Sequence, residues 1–183
     1  MNVLIAGNWA PNKGDRAVLT FIIEQLISRS DIQKIYVSTT DPAYYDGNLS
    51  FGEKVKFVPF GYNLQVKQEN NLINKIIARI RRIIYFKVKF PTLIRSVLKK
   101  TATKINNLGN SVFLEALNDS DLVIVTGGHH ITSMWEEDRL HSITYDLGLI
   151  NLSGKKYVLW AQTIGPLDFK KEINKKYIYT LLS

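Results

Sequence analysis

The apolar residues of this chain fall into short runs rich in branched side chains and longer runs with helical spacing. The short runs predict strands over residues 2–6, 34–38, 55–58, 121–125 and 156–161. Helical spacing predicts helices over 17–29, 71–85, 92–104, 110–117, 139–152 and 170–182. A strand, a glycine-containing loop, a helix and a second strand open the chain, which is typical of a parallel sheet. We therefore expect an α/β fold, a Rossmann-like open parallel sheet, in a single domain over residues 1–183.

Residues 67–104 form a basic segment within this pattern. They hold eleven basic residues and one acidic residue, a net charge of +10, whereas the rest of the chain holds 13 basic and 15 acidic residues, a net charge of −2. Its two predicted amphipathic helices are interrupted at Pro91. In the first helix the apolar residues share one face and Lys75, Arg79 and Arg82 lie opposite. The apolar residues of that face are Leu72, Ile73, Ile76, Ile77, Ile80, Ile83 and Ile84.

Three interpretations of this basic segment stay open from the sequence. Its charges can form a solvated helix face above an apolar face buried in the core, or the amphipathic helix can attach to an anionic membrane surface. Nucleic acid is the third, and we do not expect it as a partner, because aromatic residues are few here and no nucleic-acid-binding module is recognisable.

Composition limits the remaining classes. The chain has no cysteine, which excludes disulfides, thiolate metal sites and a cysteine nucleophile and fits a reducing cytosol. The N-terminal residues lack the pattern of a signal peptide, and no apolar run reaches the roughly 18–20 residues of a membrane-spanning helix. We expect a cytoplasmic protein, placed peripherally at the inner face of the plasma membrane if the basic segment binds lipid. The last predicted helix has no strand after it, which favours a fragment of a longer protein.

Two loops combine strand ends with candidate chemistry. Residues 7–17 join the first strand to the first helix, whose N-terminus favours anions, and Asp15 there either binds a ligand or stabilises the helix N-terminus. Residues 126–130 follow the fourth strand and contain His129 and His130, which can exchange protons near neutral pH. Adjacent side chains of an extended chain point in opposite directions, so at most one histidine is expected to face a ligand. Neither these histidines nor His141 shows a standard metal-ligand spacing, so no metal site is expected.

A third loop, residues 161–166, follows the last strand and exposes an amide and a hydroxyl group before a Gly-Pro turn. Together the three loops resemble the polysaccharide pyruvyl transferase family. That family has an Asn-x-Gly-Asp-x-Ala loop, a triple-glycine turn and a Gly-Gln-Ser-Ile-Gly-Pro turn, in this order. The matching residues here are Asn12, Gly14, Asp15, Ala17, Gly127, Gly128, Gln162, Thr163, Ile164, Gly165 and Pro166. His129 replaces the third glycine of the second motif, and Ala161 replaces the first glycine of the third.

The resemblance implies a function and an architecture. Family members transfer a pyruvate ketal group from phosphoenolpyruvate to a sugar and are two-domain proteins of the GT-B type, of which this chain resembles the N-terminal half. The implied partners are a glycan or lipid-linked glycan acceptor and a missing C-terminal domain. Phosphoenolpyruvate is the donor substrate, and no cofactor is implied. The implied catalytic residues are Asp15, His129 and His130, and the implied substrate-binding residues are Asn12, Gly14, Gly127, Gly128, Gln162, Thr163 and Gly165.

Two other functions remain open from the sequence. One is a GT-B glycosyltransferase that uses a nucleotide sugar. The other is a non-catalytic, truncated homologue that binds a glycan or a membrane surface.

Overall fold

A computed structural model describes residues 1–7, 13–48, 51–62, 72–101, 105–126, 131–133 and 143–183. Within these ranges, five parallel strands form one open sheet in the order β3-β2-β1-β4-β5. The strands are β1 (Asn2–Ala6), β2 (Lys34–Thr39), β3 (Val55–Pro59), β4 (Leu122–Thr126) and β5 (Tyr157–Trp160). The predicted α/β class with a Rossmann-like open sheet is confirmed, and each strand lies where the apolar runs predict it within two residues.

Helices connect the strands and flank the sheet. They are α1 (Lys13–Ile27), α2 (Pro42–Asn48), α3 (Leu72–Ile84), α4 (Phe90–Lys99), α5 (Ser111–Asp119), α6 (Ile143–Ser153) and α7 (Glu172–Leu182). A π-helical turn, Tyr85–Lys89, joins α3 to α4, and a 3₁₀ turn, Ile105–Asn107, precedes α5. Asn110 caps α5, because its side chain accepts hydrogen bonds from the backbone N–H groups of Val112 and Phe113 at 3.0 and 3.3 Å.

Alternating side chains of the strands pack into two separate hydrophobic clusters, one on each face of the sheet. On one face, Val3, Ile5 and Ile124 pack with α1 and α2. On the other face, a larger cluster joins the sheet to α4, α5, α6 and α7. Members of this larger cluster include Leu4, Ala6, Val123, Val125, Phe90, Leu93, Phe113, Tyr145, Leu149 and Tyr177. The sheet is therefore covered on both faces, as parallel sheets require.

The expected interruption at Pro91 is wrong. The backbone stays helical from α3 through the π turn into α4, and the N–H group of Phe90 donates to the carbonyl oxygen of Tyr85. Pro91 is then the second residue of α4, directly after the π turn, and it does not interrupt the helix. The second basic helix also ends earlier than predicted, at Lys99, because Lys100 adopts a left-handed conformation with φ of 50°.

Two other elements differ from the prediction. Helix α2 was not predicted, since its seven residues are too few to show a helical period. The predicted helix 139–152 is described from Ile143 onward, and residues 139–142 lie outside the described residues. Among the helices that the structure describes, none is long and apolar enough to cross a membrane.

Candidate functional site

The sheet order gathers the three motif-bearing loops at one edge. Strands β1, β4 and β5 are neighbours and run parallel, so the loops that follow them leave the same carboxyl edge. The strand order reverses between β1 and β4, which is the position where open α/β sheets form their ligand-binding crevice. The strand ends from which these loops leave are therefore adjacent at the switch point of the sheet.

Gly7 brings the ends of β1 and β4 into contact. It has a φ of +81°, and an added Cβ atom would lie 3.2 Å from both the carbonyl oxygen of Thr126 and Cγ2 of Ile143. Only glycine combines this backbone conformation with so close an approach. The start of the first loop is thus held against the end of β4 and the start of α6.

Backbone hydrogen bonds join the second loop region to the third. Ile131 forms a parallel bridge with Ile164, and the N–H group of Gly165 donates to the carbonyl oxygen of Ile131 at 2.9 Å. Two residues further on, the carbonyl oxygen of Pro166 accepts from the N–H group of Ser133 at 2.8 Å and from its Oγ at 2.9 Å. The Ile-Gly-Pro part of the third motif is therefore tied to residues 131–133.

Among the residues that the structure describes, several buried polar atoms at this same edge have no hydrogen-bond partner. They include Nε of Arg16, Oγ of Ser38, Oγ1 of Thr126, and both Oε1 and Nε2 of Gln162. Leaving such a group unpaired costs about 1–3 kcal/mol, and native proteins seldom tolerate it without a reason. A bound polar ligand is one such reason, since the guanidinium group pairs with carboxylate or phosphate and the amide and hydroxyl groups both donate and accept.

The structure describes five of the ten predicted site residues. Gly14 and Asp15 lie in the first turn of α1, the former exposed and the latter half-buried. Gln162 is half-buried, Thr163 is exposed, and Gly165 has a φ of +102°. The other five, Asn12, Gly127, Gly128, His129 and His130, lie outside the described residues. The described members therefore lie at the edge where the motifs predict a ligand.

Positive charge accompanies the first loop. Lys13 and Arg16 occupy the first turn of α1, where the helix N-terminus adds a partial positive charge. Burial raises the pKa of the Tyr45 hydroxyl on α2, and the nearby charge of Arg16 acts in the opposite direction. Within the described ranges, no three acidic or histidine side chains are grouped as a metal ion requires.

Asp146 on α6 is a buried carboxyl group that no motif in the sequence singled out. Its side chain is 1% exposed and accepts hydrogen bonds from the N–H groups of Gly61 at 3.2 Å and Tyr62 at 3.1 Å. Burial raises its pKa to about 8, although the two hydrogen bonds work in the opposite direction. Asp146 fixes the turn that follows β3, the strand at the far edge of the sheet from β5.

Arg16 and Thr126 are functional candidates that the sequence reasoning passed over. Arg16 stands between Asp15 and Ala17, and Thr126 directly precedes Gly127, so both lie inside the loops already described. The available signal was their position at a strand end or a helix start next to a motif. That Nε of Arg16 and Oγ1 of Thr126 are buried and have no partner among the described residues is visible only in the folded chain.

Ala161 adopts a backbone conformation that favours glycine. Its φ is 53°, in the left-handed region, at the position where the pyruvyl transferase motif has glycine. A non-glycine residue in this conformation destabilises the folded chain by about 1–2 kcal/mol. Replacing it by glycine removes this strain but also increases the conformational entropy of the unfolded chain, which offsets part of the gain. We expect Ala161→Gly to raise the free energy of unfolding by about 0.5–1 kcal/mol in urea denaturation.

The matched control for this substitution is Ala17→Gly, at an exposed position inside α1. There the same change should lower the free energy of unfolding by about 0.5–1 kcal/mol, because glycine weakens a helix. Equal destabilisation by both substitutions would contradict the left-handed conformation of Ala161.

Comparison with known proteins adds no relative. No family model, no curated protein and no solved structure matches this chain significantly.

Proposed function

We propose that this chain is the N-terminal, Rossmann-like half of a GT-B-like polysaccharide pyruvyl transferase. The observation that carries the proposal is the gathering of three motif-bearing loops at the carboxyl ends of β1, β4 and β5. Unpaired buried groups of Arg16, Thr126 and Gln162 at that edge support a polar ligand there. The donor is phosphoenolpyruvate, and the acceptor is a sugar of a cell-surface polysaccharide or of its lipid-linked precursor.

The proposed reaction joins one donor carbon to two sugar hydroxyl groups. The CH₂ carbon of phosphoenolpyruvate takes up a proton and becomes a methyl group, while the first hydroxyl oxygen bonds to the neighbouring carbon. The second hydroxyl oxygen then bonds to the same carbon, while the bond between that carbon and the phosphate oxygen breaks. Each sugar hydroxyl group loses one proton. One of these protons is matched by the proton that forms the methyl group and the other leaves with the phosphate, so the products are the pyruvate ketal and inorganic phosphate.

Each step needs a group of a type present at this edge. Arg16 and the N-terminus of α1 suit the carboxylate and phosphate of the donor. Asp15 suits the sugar hydroxyl groups as a base or a hydrogen-bond acceptor. Gln162 and Thr126 suit further hydroxyl groups, because each can both donate and accept. Proton transfer to the donor carbon, or contact with its phosphate, is assigned to His129 or His130, which follow β4 in the sequence.

A cytoplasmic site at the inner face of the plasma membrane would fit this chemistry. Phosphoenolpyruvate is a charged metabolite, and a lipid-linked acceptor would lie at the membrane surface. The proposal therefore places the reaction where both substrates meet.

The test measures phosphate release from phosphoenolpyruvate with candidate glycans, using the complete product of the gene that encodes this chain. Asp15→Asn is expected to lower kcat by about 100-fold, the range of a general base. Gln162→Met should lower activity at least tenfold and also raise the free energy of unfolding by about 1 kcal/mol, because it removes an unpaired buried amide.

Gln25→Met, at an exposed position on α1, is the matched control and should change neither quantity. Unchanged turnover in Asp15→Asn would remove Asp15 from the mechanism. Transfer from a nucleotide sugar, with no phosphate released from phosphoenolpyruvate, would replace the proposal by a GT-B glycosyltransferase. No turnover of either donor, together with specific glycan binding, would replace it by a non-catalytic homologue.

A further inference from the structure

Helix α3 presents a ridge of aliphatic side chains to solvent. Ile76, Ile77, Ile80, Ile83 and Ile84, the isoleucine ridge, are between 40% and 52% exposed. Folded proteins rarely leave such a row of large apolar side chains in water unless it meets another surface. Of the interpretations open from the sequence, burial of this face in the core is therefore wrong for residues 76–84.

Cations border the ridge on both sides. At about 3.6 residues per turn, Arg79 lies beside one border of the ridge and Arg81 beside the other. From residue 72 to residue 101 the chain has nine basic residues and no acidic residue. Long basic side chains beside an apolar helical face can extend to anions while their stems stay on apolar surface.

A basic groove lies next to the ridge, between α3, α4 and the start of α7. It has a volume of about 880 Å³, and its apolar walls include Phe86, Phe90 and Ile173. Its cationic residues are Arg79, Arg82, Lys87, Arg95 and Lys171. Within the described residues, no carboxylate lies within salt-bridge distance of Arg79, Arg82, Lys87 or Arg95. The groove thus combines available positive charge with apolar surface.

Charge and shape select the occupant. A second copy of this chain would bring two strongly cationic surfaces together, which charge repulsion opposes. Nucleic acid would satisfy the cations but would leave the isoleucine ridge against phosphates or in water. An anionic bilayer offers phosphate groups at the level of the cations and acyl chains at the level of the ridge.

We infer that α3 and the adjoining groove form a docking site for an anionic phospholipid bilayer. The isoleucine ridge inserts at the boundary between head groups and acyl chains. The arginine and lysine side chains of the groove bind lipid phosphates beside it. This inference does not depend on pyruvyl transfer, and its test uses neither phosphoenolpyruvate nor a glycan.

Insertion is tested with a single fluorescent label. Because the chain has no cysteine, Ile80→Cys gives one site for an environment-sensitive dye, and Phe21→Cys on α1, 57% exposed, gives a matched control. Vesicles of phosphatidylcholine with 30% phosphatidylglycerol should shift the emission of the dye at residue 80 to the blue and increase it severalfold, with no change at residue 21. No binding to these vesicles, or binding without a shift at residue 80, would overturn the inference.

The charge contribution is tested by vesicle sedimentation of the unlabelled chain. The double variant Arg79→Gln, Arg82→Gln should weaken binding to the anionic vesicles at least tenfold, whereas Lys54→Gln, Lys56→Gln, with the same loss of charge, should weaken it less than threefold. Raising the salt from 50 to 500 mM should also weaken binding at least tenfold. Equal binding to pure phosphatidylcholine would overturn the inference. The inference would also be overturned if the chain formed a dimer that Ile80→Asn abolishes and did not bind the vesicles.

Discussion

Replacing Gly148 by alanine is expected to lower the free energy of unfolding by about 3 kcal/mol. A Cβ atom at this position of α6 would overlap the hydroxyl group of Tyr177 and would lie 3.0 Å from Cδ2 of Leu93. Tyr177 is fully buried, and its hydroxyl group donates to the carbonyl oxygen of Thr144 at 2.7 Å. The methyl group must therefore displace a packed ring or break a buried hydrogen bond. Urea denaturation followed by circular dichroism measures the loss.

Gly47→Ala is the matched control for this prediction. Gly47 lies in α2, and an added Cβ atom would have no neighbour within 4 Å, so we expect a gain of about 0.5–1 kcal/mol. Tyr177→Phe in the Gly148→Ala background should recover part of the loss, because it removes the overlapping oxygen. A cost below 0.5 kcal/mol for Gly148→Ala alone would show that α6 and α7 pack differently.

The stability of the fold should decrease as the pH rises from about 4 to about 8, because of Asp146. In the folded chain burial raises the pKa of this carboxyl group to about 8, from an ordinary value of 3.8. Between these two pH values the folded state binds the proton and the unfolded state does not. The contribution of Asp146 to stability is therefore greatest below pH 4 and is lost through this interval, by an amount of the order of 5 kcal/mol.

The charged form of Asp146 also affects its neighbours. Burial raises the pKa values of the Tyr85, Tyr145 and Tyr177 hydroxyl groups, and the negative charge of Asp146 raises them further. These hydroxyl groups therefore stay neutral throughout the interval in which Asp146 titrates. Among these buried groups, only the carboxyl group of Asp146 therefore changes the stability between pH 4 and pH 8.

Asp146→Asn is expected to remove most of this dependence. Asparagine is neutral at every pH and keeps one oxygen that can accept from the N–H group of Gly61 or Tyr62. The variant should match the unmodified chain within about 1–2 kcal/mol at pH 4 and exceed its stability by several kcal/mol at pH 8. Asp168→Asn, at an exposed position, is the matched control. Parallel stability curves for Asp146→Asn and the unmodified chain would contradict the buried carboxyl group.

The strands that the structure describes were predictable because they are short and rich in branched and aromatic apolar residues. In β4, Val123, Ile124 and Val125 are all buried, and a continuous apolar run of this length is typical of a parallel strand. Whether the apolar face of a helix lies in the core or in solvent was less predictable. The isoleucine spacing of α3 is the pattern of a core helix, and only the contacts of the folded chain leave that face exposed.

The candidate site was predictable as motifs but not as an arrangement. The sequence marks Asp15 and Gln162, yet the adjacency of β1 and β4 depends on pairings between residues more than 100 positions apart. The missing hydrogen-bond partners of Arg16 and Gln162 depend on what surrounds each atom. Asp146 carried no signal at all, since one aspartate in an apolar helix resembles a solvent-facing residue until the helix is found to be buried on all sides.

The π-helical turn at Tyr85–Lys89 sets the rotational phase between α3 and α4. Each π turn holds one residue more than an α turn, so the helix beyond it is rotated by roughly 100° relative to an uninterrupted α-helix. This offset lets Leu93 and Val97 of α4 face the core while the isoleucines of α3 face away from it. A one-residue deletion in the turn would reorient the whole ridge, although no ridge residue had changed. The length of this turn therefore governs the orientation of the ridge more strongly than any single substitution within it.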